Sequence, residues 1–179
     1  MTRQPSVLRL QGEARGTRES IAVYIVFDRN GALVGAPIVW RSDPDRSSRA
    51  WLSQTIEGAT SCFMVLSEFT AVATTQPAAT PTTGKVVFHV YRLARSESVE
   101  VFAIHCDWAV NQWPWLEATR RDDRVTLHLK VSPAGKSNLQ TVATFVWDES
   151  LGRFVGPQHD PQGRWEVIFP PPDPGETTQ

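Results

Sequence analysis

The chain has 179 residues, 41% hydrophobic and 21% charged, enough for one domain with an apolar core and too apolar for a disordered polymer. Its 18 basic and 19 acidic residues leave a net charge of −1, which excludes the basic excess of a general nucleic-acid or anionic-membrane binder. No apolar run approaches the roughly 20 residues of a membrane-spanning helix, so no membrane insertion is expected.

The opening residues Met1 to Pro5 carry no apolar leader, so no export signal is read there. The compartment stays open: cytoplasmic, or exported with the signal removed. Residues 7–14 form a weakly patterned first strand. Residues 20–27, Ser-Ile-Ala-Val-Tyr-Ile-Val-Phe, are almost continuously apolar and β-branched. Such a run predicts a central strand covered on both faces. Asp28-Arg29-Asn30-Gly31 then supplies a hairpin turn, because Asn and Gly accept positive φ. The return strand, 32–40, contains Pro37, which donates no ladder hydrogen bond and so predicts an edge or a bulge.

Ser42-Asp43-Pro44-Asp45 reads as a helix start, with a side-chain cap, a proline in the first turn and acids at the positive dipole end. Leu52, Ile56 and Ala59 follow at helical spacing, and Gly58 is a plausible stop. One helix packed on a sheet is therefore expected, before strand character returns over 62–73. Asp28, Gly31, Leu33, Gly35, Pro37 and Ser42 give residues 21–50 a phrase that resembles the periplasmic C-terminal domains of TonB/TolA-type energy-transducing proteins. The resemblance implies strand, turn, strand and helix for those residues and carries no function to this chain.

Residues 74–84 are Thr/Pro-rich and read as a loop within one domain. Strands follow at 85–94, 99–108, 123–132, 139–147 and 164–169, separated by Ser-, Gly- and Pro-rich turns. The fold class is mainly β (α+β), an antiparallel sandwich or open barrel with one helix. It spans 1–169 as a single domain, and 170–179 is an extended Pro-rich tail.

Alternation places chemistry on faces. Val86, Phe88 and Val90 share a side with Phe102, Ile104, Cys106 and Trp108, so His89, His105 and Asp107 take the opposite one. With Phe88 opposite Cys106, His89 stands opposite His105, and His128 is a further polar-face candidate. Three imidazoles and a carboxylate suit a zinc or iron site, which makes a metal-dependent enzyme or metal carrier one alternative. Cys62 and Cys106 belong to no CxxC pair. They form one disulfide if the chain is exported, and buried thiols otherwise. Phosphate loops, GxSxG and HExxH are absent from the sequence, and no cofactor is implied.

The segment Asn111-Gln112-Trp113-Pro114-Trp115-Leu116 sits in the longest connection of the second half. Trp113 and Trp115 beside a proline form an anchor for a protein partner, or else cap the open end of the β core. The leading expectation is a non-enzymatic binding or assembly protein using Trp113 and Trp115. A second alternative is a barrel carrier of a small apolar ligand with tryptophans at its mouth.

Overall fold

The structure, a computed structural model, describes residues 5–13, 19–42, 48–58, 61–71, 83–94, 96–109, 112–132 and 138–170. The Thr/Pro-rich loop lies outside these residues except for Thr83 and Gly84, as does the Pro-rich tail except for Pro170.

The chain is mainly β, and its strands run in order β1 (Ser6–Glu13), β2 (Ser20–Phe27), β3 (Leu33–Arg41), β4 (Ser48–Glu57), β5 (Cys62–Ala71) and β6 (Thr83–Ala94). Then come β7 (Glu97–Ala109), β8 (Pro114–Arg121), β9 (Arg124–Val131), β10 (Gln140–Asp148), β11 (Arg153–Val155) and β12 (Trp165–Phe169). They form three antiparallel sheets, ordered β1-β2-β3, β12-β7-β6-β5-β4 and β11-β10-β9-β8, in a sandwich-like arrangement. No helix occurs among the described residues, so none there is long and apolar enough to cross a membrane.

The five-stranded sheet is the middle layer. Phe63, Val65, Val86, Phe88, Val90, Ile104 and Cys106 pack on Leu116, Leu127, Leu129, Phe145 and Phe154 of the C-terminal sheet. On the other side, Cys62, Met64, Leu66 and Leu93 pack on Ala22, Tyr24, Val26 and Ile38 of the N-terminal sheet. Strand β5 serves both cores, which is why Cys62-Phe63-Met64-Val65-Leu66 is an unbroken buried run. Burying each of those large side chains stabilises the fold by about 1.5–3 kcal/mol.

The expected helix is a strand. Ser42 caps nothing helical; its Oγ accepts from the Ser20 N–H at 2.7 Å, and its own N–H donates to the Ser20 carbonyl at 2.9 Å. The other three residues of the start signal lie outside the described residues. The register of β4 on β5 shifts between Leu52 and Gln54, leaving Ser53 as a bulge. The bulge reverses the facing, so Ala50 and Leu52 meet the N-terminal core and Ile56 the C-terminal one. Leu52 and Ile56 stand four apart, as on a helical stripe, but the bulge puts them on opposite faces of one strand. The helix implied by the TonB/TolA resemblance falls with the same finding.

The expectation for Pro37 holds, and two further corrections follow from packing. Pro37 is both at an edge and in a bulge, since β3 borders its sheet and its register slips opposite Tyr24 and Val26. Strand β2 is buried on one face only, through Ala22, Tyr24 and Val26, while Ile21, Val23, Ile25 and Phe27 stay half-buried. The segment around Pro114 is not all loop, because Pro114 opens the edge strand β8, where a missing N–H costs no ladder bond. A tight turn with φ of 46° at Asp122 and 65° at Asp123 then returns the chain into β9.

Candidate functional site

The histidine faces are as alternation places them, but the register differs. Phe88 stands opposite Ile104 and Val86 opposite Cys106, so His89 pairs with Ala103 and His105 with Val87. The two histidines are therefore diagonal neighbours on the side facing the N-terminal layer. His128 is elsewhere, on the outer face of the C-terminal sheet, between Thr119 at 3.0 Å and Thr144 at 3.4 Å. His105 lies 3.4 Å from Asp107 and 3.9 Å from Glu166, and its Nε2 is buried without a hydrogen-bond partner among the described residues. The four residues His89, His105, Asp107 and His128 are thus not brought to one point. Among the described residues no group of three or more His, Cys, Asp or Glu is disposed to hold a metal ion.

His89 instead joins a network between layers. Its Nδ1 is 2.6 Å from Glu100 Oε1 and its Nε2 is 3.6 Å from Glu68 Oε2. Trp40 of the N-terminal sheet donates its indole N–H to the same Glu68 oxygen at 3.1 Å. The Tyr91 ring lies alongside the imidazole at 6.4 Å. Burial alone would depress the His89 pKa, but the hydrogen bonds to Glu100 and Glu68 and their charges outweigh it and raise the value to about 9. The hydrogen bond from His89 in turn holds the Glu68 carboxyl below its ordinary range. An imidazole kept as a cation offers no lone pair to a metal and accepts no proton, so here it works as an electrostatic pin.

Cys62 and Cys106 are both free and buried, and they face opposite cores of the middle sheet. No disulfide joins them. Burial, with a smaller effect of Glu57, pushes the Cys62 thiol up to about 11, and burial and Asp107 raise Cys106 as well. Near β12, buried Asp160 chelates Arg164, with Nε at 2.6 Å.

Trp113 and Trp115 are 38% and 37% exposed. Trp113 stacks on Phe69 at 5.6 Å and meets Trp108 at 5.1 Å, closing an aromatic group at one end of the C-terminal core. Trp115 lies on the outer face of β8, opposite Lys130. Beside this group opens a pocket of about 390 Å³, walled by Trp108, Trp165, Val131, Val142 and Pro114.

A further apolar surface lies elsewhere and was half legible in residues 20–27. On the outer face of the N-terminal sheet, Leu8 pairs with Ile25, Leu10 with Val23, Val23 with Val39, and Phe27 with Leu33. Leu10 and Val39 are 52% and 55% exposed. Antiparallel sheets with one solvated face alternate apolar and polar residues. Strand β2 has no polar side chain on its outer face from Ile21 to Phe27.

No protein family, curated protein or solved structure matches this chain.

Proposed function

We propose that this chain is a binding and assembly subunit whose N-terminal sheet packs, face to face, on the same sheet of a second copy. The observation that carries this reading is the row Ile21, Val23, Ile25 and Phe27, flanked by Leu8, Leu10, Leu33 and Val39. From strand spacing and rise, such a three-stranded face covers about 400 Å². That is half of the roughly 800 Å² each partner buries in a standard interface, so the dimer requires the surrounding rim to contribute as much again.

The face suits a copy of itself. It is apolar and bordered at one end by an opposed charge pair, Arg41 and Glu19 at 3.5 Å. Two such faces related by a two-fold axis bury no unpaired charge, and sheets stack face to face in sandwiches in this way. A rim pair of Arg41 with Glu19 then meets its own equivalent or solvent, neither of which opposes docking.

Sedimentation equilibrium of the purified chain tests the proposal. The wild type is expected to be dimeric at micromolar concentration, and Leu10→Lys with Val39→Lys monomeric with an unchanged far-UV spectrum. A monomeric wild type, including one that floats with lipid vesicles, would overturn the self-assembly reading. So would a double variant that stays dimeric.

A further inference from the structure

We propose that the pocket at the end of the C-terminal core, between β6, β7, β8, β9, β10 and β12, binds a small neutral molecule with an apolar body and a carbonyl oxygen. Its volume of about 390 Å³ is within the range of ligand pockets, and Trp108, Trp165, Pro114, Val131 and Val142 make its wall mainly apolar.

Two independent features point to a hydrogen-bond acceptor. The indole N–H groups of Trp108 and Trp165 are both buried and have no acceptor among the described residues. Trp108 is 8% and Trp165 5% exposed, and neither indole nitrogen is open to bulk solvent. A buried donor left unmade costs about 1–3 kcal/mol. Trp108 Nε1 also lies against Gly84, where a Cβ would collide with it, and Gly84 is itself in the pocket wall. Glycine here keeps a side chain from covering the indole nitrogen. A small rotation of the ring brings the N–H to an acceptor seated beside Gly84.

Neutrality follows from the rim. Lys85 stands opposite Asp107 in the ladder, and Arg164 is already chelated by Asp160. The two cations, Lys85 and Arg164, are thus balanced by the two carboxylates, Asp107 and Asp160, and no surplus charge recruits an anion.

The test is 2-heptanone titrated into ¹⁵N-labelled protein, with octanoate as the anionic comparator. The ketone is expected to move the Trp108 and Trp165 indole N–H resonances downfield, more than octanoate does. Val142→Phe, which fills the pocket from a half-exposed position, is expected to abolish the shift. Ala109→Phe fills it from the other side and stands in if the first variant does not fold. No movement of either resonance, the same movement in a filled variant, or stronger movement with octanoate would overturn the proposal. None of these outcomes depends on whether the chain dimerises.

Discussion

The side-chain amide of Gln54 is bonded twice to the backbone of Ala118: Gln54 Nε2 donates to the Ala118 carbonyl at 2.7 Å, and the Ala118 N–H donates to Gln54 Oε1 at 2.8 Å. Gln54 is on β4, the edge of the middle sheet, and Ala118 is on β8, the edge of the C-terminal sheet. A side chain thus stands in for the missing strand partner at the seam between two layers. Gln54→Ala leaves one buried donor and one acceptor unpaired and is expected to destabilise the fold by about 2 kcal/mol in urea titration. Gln54→Glu is expected to do no better, because a carboxylate cannot donate to the Ala118 carbonyl. Wild-type stability in either variant would show that the seam is held by other contacts.

The His89 network sets a pH dependence on the alkaline side. The folded pKa of about 9 lies above the ordinary 6.5, so folding favours the cation. Its stabilisation is complete below pH 6.5 and is lost as pH rises through about 9. Thermal melts across that window are expected to show a falling Tm in the wild type and a flatter profile in His89→Gln. Parallel slopes for the two proteins would remove the role assigned to His89.

The turn at Asp122 and Asp123 uses residues that tolerate positive φ less well than Asn-Gly. Replacing both, Asp122→Asn with Asp123→Gly, is expected to raise stability by about 1 kcal/mol. The variant gives up an exposed ion pair between Arg120 and Asp123, which contributes little in water. A lowered midpoint in denaturant would contradict the assignment.

Both thiols are expected to resist a neutral disulfide reagent in the folded protein and to react fully in denaturant. Burial excludes the reagent and keeps the Cys62 thiol protonated, with its pKa up to about 11. Air oxidation is expected to leave no internal bridge, because the middle sheet stands between Cys62 and Cys106. Rapid native reactivity at either position would contradict this.

Alternation was a dependable guide wherever a strand had one wet and one dry side. It assigned Phe88 and Cys106 to one face and His89 and His105 to the other, and those faces hold. It did not fix which residue stands opposite which, because pairing any two residues of matching parity preserves the faces. A bulge at Ser53 hid β4, since it breaks the alternation of faces along the strand. Strand β11 is three residues long and leaves no periodic signal. The Glu68, His89 and Glu100 network was half legible: the histidine stood out, but its two partners come from neighbouring strands, β5 and β7. The apolar outer face of the N-terminal sheet had a signal in the unbroken run of residues 20–27. That run called for two covers, and the described residues of the chain supply one.

Because β5 presents Phe63 and Val65 to one layer and Met64 and Leu66 to the other, a single ribbon is the common wall of both compartments. Neither outer sheet can peel away without wetting residues whose chain neighbours anchor the opposite side. The two compartments consequently melt together in one cooperative step, and a substitution at Met64 is felt at Phe145 without any contact between them.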